Sequence, residues 1–436
     1  MVTPRRLEWL SYALLALVLI LRYPVHFALS PPYLMDFNVY RAAAERVAHG
    51  EGARLYDPVS TEKMMFKYAP CWALAWRPLA RFSSHTGAVL WTALDLAALL
   101  ATLLLCAGIC RRLRLRAHPL TGVAATLLIV RPLAEEMGNG QVNLLWGALI
   151  AAFVYAEIRR WPWRAACALA GAMLLKLPAL ILLPYLVLRR RWKAAARVLA
   201  IAAWLTAAAI IVIAPGEPLR LLHGWAHALF ANAQTYAFEI GNQSLLALLG
   251  RFLTADGFGL NLADIPRAAL AILAAGVVAL LVVALGQPRR SDREDPRGFL
   301  YDSAIMTVLM VIGSPSCWLA TYTTLLFPLF VALAGLADRL ARGRRDFASL
   351  GLLGAVLGLA CFTQRRAWHA IGLSAWHGEA YLFLVFMILP WLGLLLIGLL
   401  WRLRGASART SRSSATGTPP PSTRSSTPAA LPGIPA

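Results

Sequence analysis

Asp36 is the residue whose type and setting most clearly suggest chemistry. It lies among aromatic side chains in Met35–Arg41, about fifteen residues after the first long apolar run ends. A carboxyl group buried among Phe37 and Tyr40 would have a raised pKa, and it would then be a better base for a hydroxyl group. The alternative is that Asp36 caps a helix over residues 37–48. The spacing alone leaves both interpretations open.

Lys176 is a charged residue inside an apolar stretch, Met173–Pro178. If that stretch lies in a membrane, a lysine at its centre costs roughly 2.5–3.5 kcal/mol, so such residues usually contact a substrate or a buried carboxylate. Contact with a phosphate group is the functional interpretation. The structural alternatives are that Lys176 extends to the membrane surface or pairs with Asp95, the carboxylate of the run 86–110.

A glycine-containing hexapeptide, Gly138–Asn143, lies between two apolar runs. Its glycines allow a tight turn, and the amides of Gln141 and Asn143 suit hydrogen bonds with sugar hydroxyls or a phosphate. The alternative is a loop followed by a helix cap. Glu135 and Glu136 precede the hexapeptide and are either a second pair of carboxylates in the same cavity or two exposed loop acids.

Two further groups of residues are candidates for substrate contact. The polar triplet Asn242–Ser244 suits a helix start, with Arg251 two turns later. These residues either contact the acceptor or the phosphate, or they form a helix cap and a surface arginine. Lys67 and Tyr68 are candidates for contact with a lipid headgroup or a phosphate, and their alternative role is lipid anchoring.

Composition indicates which elements must position these residues. Of the 436 residues, 59% are hydrophobic and 14% are charged, against about 45–50% and about 25% in a soluble domain. These values exclude a soluble enzyme, a disordered protein and a fibrous repeat. Runs such as Leu144–Tyr155 and Ala268–Leu285 are continuously apolar rather than alternating, which favours membrane-spanning helices over a β-barrel. The chain is therefore predicted to be an all-α polytopic membrane protein.

The distribution of charge predicts the topology. The formal net charge of +21 comes from basic residues clustered in short loops, which indicates membrane orientation and contact with anionic lipids rather than nucleic acid. All of these basic clusters can lie on the cytoplasmic side if the segment 165–188 enters and leaves the membrane on the same side. Because this segment contains Lys176, Pro178 and Pro184, it is predicted to form a hairpin of two short broken helices. About twelve membrane segments result, with both termini inside. After a first span ending near Leu21, the apolar runs are 86–110, 118–134, 141–158, 165–188, 194–214, 267–286, 299–313, 318–337, 347–362 and 379–401.

Residues 1–404 are predicted to form one transmembrane domain. The outer loops 24–85 and 215–266 are too long for simple connections, so we expect short interfacial helices in them. Residues 405–436 are rich in Ser, Thr, Pro and Ala and cannot bury a core. They are predicted to form a disordered cytoplasmic tail.

Several of these groups belong to an ordered set of motifs. From Asp36 to Trp318 the motifs are D-F-x-V-Y, L-Y-D-P, Y-x-P, G-N-G-Q-V-N, K-L-P, G-N-Q-S-L and S-P-x-x-W. Together they resemble glycosyltransferase family 87, a family of GT-C-type integral membrane enzymes that includes polyprenyl-phosphate-mannose-dependent mannosyltransferases. Each motif alone is weak, but their common order makes the resemblance fairly specific.

The resemblance implies a GT-C-type fold and a catalytic aspartate in the first outer loop, where Asp36 falls. It implies inverting transfer of a sugar, mannose by default, from polyprenyl phosphate to a hydroxyl group of a glycolipid or polysaccharide, without cofactor or metal. The site would face the periplasm or exterior of the cell membrane, and the partners would be donor, acceptor and membrane lipids, with no nucleic acid. Donor or phosphate contacts would fall to Lys176, Gln141, Asn143, Lys67 and Tyr68. Acceptor or sugar contacts would fall to Tyr40, Asn242, Gln243, Ser244 and Arg251.

One position departs from the family pattern. Relatives commonly carry a histidine after S-P-x-x-W, whereas Leu319–Thr321 follow here. If that histidine binds the donor phosphate in relatives, this chain has lost or relocated the role, and His227, His369 and His377 are the candidate replacements. Two other functions stay open. A flippase or transporter of lipid-linked sugars would also suit a lysine and a broken helix within the membrane, and the chain could be a catalytically inactive relative.

Overall fold

The computed structural model describes residues 3–30, 32–59, 64–236, 239, 241–253, 295–364, 367 and 387–415, and every regular element in these ranges is helical. In chain order the α-helices are α1 (Pro4–Ile20), α2 (Met35–Ala48), α3 (Pro70–Trp76), α4 (Ser84–Arg112), α5 (Thr121–Leu128), α6 (Val130–Asn139), α7 (Asn143–Ile158), α8 (Pro162–Leu175), α9 (Leu182–Leu188), α10 (Trp192–Ile213), α11 (Pro218–Tyr236), α12 (Leu245–Leu253), α13 (Pro296–Ile312), α14 (Leu326–Ala341), α15 (Phe347–Phe362) and α16 (Ile388–Ala415). A π-helical turn at Leu21–Val25 and a short helix at His26–Leu29 extend α1, and 3₁₀ turns lie at Gly52–Arg54, Arg77–Arg81, Leu177–Ile181 and Leu319–Leu325.

Five helices in the described ranges are long and apolar enough to cross a membrane. They are Pro4–Leu29, Ser84–Arg112, Trp192–Ile213, Leu319–Ala341 and Ile388–Gly405. Helices α6 and α7 add a sixth candidate if they form one span, although they meet at 118°. The chain is therefore a multi-pass membrane protein that is helical throughout its described ranges. The count of about twelve segments and the GT-C type of fold stay predictions, and the run 267–286 lies outside the described residues.

The peripheral helices present apolar side chains to their surroundings. Leu10 and Leu14 of α1, and Trp204 and Ile211 of α10, are each at least 60% exposed. In water this apolar surface would cost roughly 25 cal/mol per Å², whereas lipid removes that cost. The span Leu319–Ala341 differs, because 94% of its most apolar window is buried inside the protein. Helices α1 and α10 therefore face lipid, and α14 lies at the centre of the bundle.

The segment 165–188, predicted to be a broken hairpin, is interrupted at Lys176. Helix α8 ends there because Lys176 has an extended backbone, with φ −145° and ψ 120°. A 3₁₀ turn containing Pro178 follows, and a proline within a continuous helix would have removed a backbone hydrogen bond. Beyond the turn, α9 returns toward the end of α7, where Arg191 pairs with Glu157. The segment therefore enters and leaves at one end of the bundle, which is the geometry that the charge pattern requires.

Buried ion pairs hold this end of the bundle together. Asp302 of α13 lies 3.3 Å from Arg189 and also pairs with Arg404 of α16. Asp338 of α14 lies 3.6 Å from Arg297 of α13. The arginine-rich loops thus gather at one end, whereas the α6–α7 bend and the α8 break lie at the other. Because α7 has 16 residues, its two ends are about 24 Å apart.

The two long loops, 24–85 and 215–266, contain helices, and their placement on the outer side stays a prediction. Helices α2 and α3 lie within 24–85, and α11 and α12 lie within 215–266. Helix α16 runs to Ala415, so it continues past position 405, where the tail was predicted to begin. The predicted disorder then concerns residues 416–436, which lie outside the described residues.

Candidate active site

Asp36 lies in the first turn of α2, and only 8% of its surface is exposed. The N-cap of α2 is Leu34, and no side chain caps this helix. Asp36 is therefore not a helix cap, which removes the structural alternative. Its carboxylate lies near the positive end of the helix dipole, where negative charge is stabilised.

A cluster of aromatic rings fixes the helix that carries Asp36. The centroid of the Tyr40 ring lies 4.8 Å from that of Trp76 and 5.0 Å from that of Trp91, distances at which aromatic pairs attract each other. The Tyr40 hydroxyl lies 3.0 Å from the hydroxyl of Tyr68. Both tyrosines are buried and interact electrostatically with Asp36. The fold thus brings two predicted site residues to the candidate base.

Hydrogen bonds connect the α6–α7 bend with Lys176, and the bend in turn faces Asp36. The side chain of Gln141 is close enough to the Asp36 carboxyl group to stabilise its charged form. The amide nitrogen of Asn143 donates to Gln141 Oε1 at 2.8 Å, and the Lys176 ammonium donates to Asn143 Oδ1. Three of the five residues predicted to contact the donor therefore converge on the predicted base.

Two lysines face the Asp36 carboxyl group. Lys67 and Lys176 both interact with it electrostatically, and the indole of Trp225 in α11 donates to the Lys67 carbonyl at 3.3 Å. Burial raises the pKa of Asp36 above its ordinary value, while the two lysines and the Gln141 hydrogen bond oppose the rise. A carboxylate with a raised pKa has a greater proton affinity, which suits a general base.

The proposed pairing of Lys176 with Asp95 does not occur. The Lys176 ammonium bonds to Asn143 and lies 5.6 Å from the centroid of the Trp146 ring, in the protein interior. The Asp95 residue is 1% exposed, and its carboxyl oxygens have no hydrogen-bond partner among the described residues. Lys176 is thus directed at the candidate site rather than at Asp95 or the membrane surface.

Asn242 is buried against the S-P-x-x-W segment. Its amide nitrogen donates to the carbonyl oxygens of Tyr236 at 2.9 Å and Pro315 at 2.7 Å. Its amide oxygen accepts from the backbone N–H groups of Ser244 and Cys317, both at 3.0 Å. The Asn242 amide therefore connects two segments of backbone, and a direct acceptor contact by this residue stays a prediction.

The rest of this predicted group lies at the start of α12. Ser244 Oγ accepts from the backbone N–H of Ala247 at 3.1 Å and so caps the helix. The Gln243 amide nitrogen lies 3.5 Å from the sulfur of Met387. Arg251 lies within α12, and its side chain lies outside the described parts of the chain. Their roles in substrate binding stay predictions.

The S-P-x-x-W segment lies beside the candidate site, because Cys317 is close enough to Lys176 to interact with it electrostatically. Of the histidines proposed to replace the missing one, His227 is exposed on α11. His369 and His377 lie outside the described residues.

Glu136 is a site residue that the sequence left undecided. It is fully buried, and it accepts the backbone N–H groups of Asn143 at 2.6 Å and Leu144 at 3.0 Å, and the Asn143 amide at 2.6 Å. Glu135 is only partly buried and lies outside this network. Neither interpretation from the sequence therefore holds, because the two acids do not form a pair of carboxylates in one cavity and Glu136 is not exposed. A signal was present, since Val142 cannot cap α7 with its side chain and a buried helix start needs a cap from elsewhere.

Fold and site together define a multi-pass membrane protein with a buried carboxylate and two lysines at one end of its helices. The chain belongs to glycosyltransferase family 87, whose model matches residues 66–315, more than half of its length. This confirms the family predicted from the order of the motifs. The match includes Lys67, Gln141, Asn143 and Lys176 and begins after Asp36.

A relative from Mycobacterium tuberculosis (strain ATCC 25618 / H37Rv) is similar over part of the chain. It is a polyprenol-phosphate-mannose-dependent alpha-(1-2)-phosphatidylinositol mannoside mannosyltransferase, and it is 27% identical over 186 residues. The similarity covers 39% of this chain and 43% of the relative, so the chain spans less than half the length of that protein.

Proposed function

We propose that this chain moves a sugar, mannose in the first instance, from polyprenyl phosphate to a hydroxyl group of a glycolipid or polysaccharide at the outer face of the membrane, with inversion. The observation that carries the proposal is the buried Asp36 carboxyl group, which is faced by the ammonium groups of Lys67 and Lys176. A base beside two cations suits a reaction in which a hydroxyl loses its proton and a phosphate gains negative charge.

The reaction is a single displacement. Asp36 takes the proton of the acceptor hydroxyl while the acceptor oxygen forms its bond to the anomeric carbon. The bond from that carbon to the phosphate oxygen breaks, and its electron pair leaves with the phosphate. Attack from the face opposite the leaving group inverts the anomeric centre. Lys67 and Lys176 stabilise the charge that grows on the phosphate, since preorganised cations act most strongly in a site from which water is excluded.

The remaining site residues are proposed to orient the two substrates. Gln141 and Asn143 contact the donor next to Lys176. Tyr68 follows Lys67 in the chain, and its hydroxyl lies 3.0 Å from that of Tyr40, so we propose that this pair of tyrosines borders the sugar. The mycobacterial relative depends on polyprenol-phosphate-mannose, which supports mannose and a lipid-linked donor.

The distribution of charge supports an outer-face site. Arginine-rich loops favour the cytoplasmic side of a membrane, and here they gather at the end of the bundle where Arg191 meets Glu157 and Asp302 meets Arg189. Asp36 and Lys176 belong to the opposite end. A donor and an acceptor that are both anchored in the outer leaflet would reach this end without crossing the membrane.

The test replaces Asp36 by Asn and measures transfer of labelled mannose from polyprenyl phosphate to a glycolipid acceptor. A general base contributes about 10²–10⁴-fold, so we expect a loss in kcat of that order. Asp57→Asn is the matched control, because Asp57 lies in the same loop, is half-exposed and pairs with Arg54 at 3.2 Å. Full transfer by D36N would overturn the proposed mechanism, and movement of the donor across the membrane without any transfer would favour a flippase.

The phosphate contact is tested separately with Lys176→Met. We expect weaker donor binding and a lower kcat, because the leaving phosphate loses one of its two cations. Lys193→Met is the control, since Lys193 is exposed at the arginine-rich end. If K176M and K193M both match the unaltered protein, Lys176 does not contact the phosphate, while the role of Asp36 is unaffected.

A further inference from the structure

Glu136 forms the cap of a helix to which it does not belong. It lies in the last turns of α6, before the left-handed Gly140. Its Oε1 atom accepts the first backbone N–H groups of α7, from Asn143 at 2.6 Å and Leu144 at 3.0 Å. One carboxylate thus satisfies two groups that a helix start leaves unpaired, and it holds the bend between the two helices.

The second oxygen of Glu136 determines the orientation of the Asn143 side chain. Oε2 accepts from Asn143 Nδ2 at 2.6 Å, and the same nitrogen donates to Gln141 Oε1 at 2.8 Å. An amide nitrogen carries two hydrogens, so both are used. The Asn143 oxygen is therefore the atom that faces Lys176 and accepts its hydrogen bond.

The same orientation extends to Asp36. Because the Gln141 oxygen accepts from Asn143, the NH₂ group of Gln141 is the part of this amide that is left to face the Asp36 carboxyl group, whose charged form Gln141 stabilises. The donors of Lys176, Asn143 and Gln141 thus all point along one direction, toward Asp36. The Glu136 carboxylate can only accept hydrogen bonds. It therefore favours this orientation of the two amides over the reverse orientation, in which the Asn143 oxygen would face Glu136.

We infer that Glu136 is a positioning residue for sugar transfer, because its carboxylate orients the amides of Asn143 and Gln141 so that Gln141 donates to Asp36 and Asn143 holds Lys176. This inference rests on the proposed role of Asp36 as the base. Glu136 itself need not touch either substrate.

Replacement of Glu136 by Gln would reverse the network. An NH₂ group at position 136 would oppose Asn143 Nδ2, so the Asn143 amide would turn over and Lys176 would lose the oxygen that accepts its hydrogen bond. Gln141 must then turn as well, and its oxygen would face the Asp36 carboxylate. The repulsion would raise the pKa of Asp36, because a hydrogen bond to the charged form is replaced by an acceptor.

The charged and titratable groups that face Asp36 are Lys67 from the loop before α3, Lys176 from the α8 break, Tyr68, and Tyr40 on α2 itself. Glu136→Gln replaces none of them, but it removes a charge that favours the ionised form of Lys176. A change in the titration of Asp36 therefore reports the amide network when Asn143→Ala, which keeps the charge of Glu136, moves it in the same direction.

The experiment measures kcat/KM for transfer against pH in the full chain carrying Glu136→Gln. The acidic limb of this profile is the pH range in which kcat/KM falls because the base becomes protonated. We expect the limb to move to higher pH by about one unit in E136Q. At a pH below the limb, transfer should then be about tenfold lower than in the unaltered protein, and it should recover above the limb. A merely structural role would lower transfer equally at every pH. Glu135→Gln is the matched control, as Glu135 lies one residue earlier, outside this network, and its variant should keep the limb of the unaltered protein.

The position of the limb does not depend on how much of the protein is folded, so a low yield of E136Q does not obscure it. If no folded E136Q is obtained, Asn143→Ala serves instead, because it keeps the bonds of Glu136 to backbone N–H groups and removes the link to Gln141. Lys176, which interacts more strongly with Glu136 than with Asp36, would not compensate, so the limb should again move to higher pH. If the limb does not move and D36N shows a large loss of transfer, the inference about Glu136 is overturned and the proposed function is upheld. If D36N shows full transfer, both are overturned.

Discussion

The backbone of Gly140 lies directly against the side chain of Phe37. A β-carbon on Gly140 would stand 2.9 Å from the β-carbon of Phe37 and 3.2 Å from that of Leu34. Gly140 also has a φ of +67°, a conformation that residues with a β-carbon rarely adopt. The bend that carries Gln141 therefore packs directly onto the helix that carries Asp36.

Gly140→Ala should both destabilise the protein and impair transfer. The left-handed backbone costs about 1–2 kcal/mol for a residue with a β-carbon, and the contact with Phe37 would displace α2. A displacement of about 1 Å at a catalytic group can cost about 10²-fold in rate. Thermal unfolding in detergent and a transfer assay measure the two effects.

Gly138→Ala is the control for this prediction. No heavy atom lies within 4 Å of a β-carbon placed there, and alanine favours a helix over glycine by about 0.5–1 kcal/mol. Equal behaviour of G138A and G140A would show that the contact with Phe37 has no part in positioning the site.

The pH dependence of transfer should reflect the burial of Asp36. The base must be ionised to accept a proton, so kcat/KM falls as the pH drops through its pKa. Burial raises that pKa above the ordinary value, and the acidic limb should lie above the value of about 3.9 for a free aspartate. Lys67→Gln removes a charge that favours the ionised form, so the limb should move to still higher pH. The limb of Arg81→Gln, an exposed cation in the same loop, should stay in place, and a K67Q limb at lower pH would contradict the assignment.

Asn242→Ala should lower the stability of the protein. Four backbone groups, including those of Pro315 and Cys317, would lose their partner, and a buried polar group without a partner costs about 1–3 kcal/mol. We expect a total loss of about 3 kcal/mol or more in the free energy of unfolding. Asn242→Asp keeps the acceptor oxygen but sets a second oxygen against the carbonyl groups of Tyr236 and Pro315, so it should lose stability as well. An N242A protein that unfolds like the unaltered one but binds acceptor poorly would favour the predicted acceptor contact.

Asp95→Leu should stabilise the protein and leave transfer within about twofold. Among the described residues, neither oxygen of Asp95 has a hydrogen-bond partner, and removal of such a buried group is worth about 1–3 kcal/mol. Thr92→Val, one turn earlier in α4, is the control, because the Thr92 hydroxyl already donates to the Ala88 carbonyl at 2.9 Å. Loss of transfer in D95L at normal stability would place Asp95 in the reaction.

Much of the candidate site was predictable from the sequence. Asp36, Gln141, Asn143 and Lys176 were singled out because polar residues beside apolar runs are costly and tend to be kept for function. The roles of Asn242 and Glu136 were not predictable. Asn242 bonds to Pro315, 73 residues away, and no local pattern indicates which distant backbone a buried amide will contact.

Composition and the order of short motifs were sufficient to establish a helical membrane protein of glycosyltransferase family 87, because hydrophobic runs and motif order are local properties of the chain. The folded arrangement was needed to show that Lys176 bonds to Asn143 rather than pairing with Asp95, and that Glu136 rather than Glu135 enters the site. Those contacts depend on a bend of 118° between two helices and on the return of α8 and α9 to one end of the bundle. Such geometry results from the packing of whole helices, which the spacing of residues does not specify.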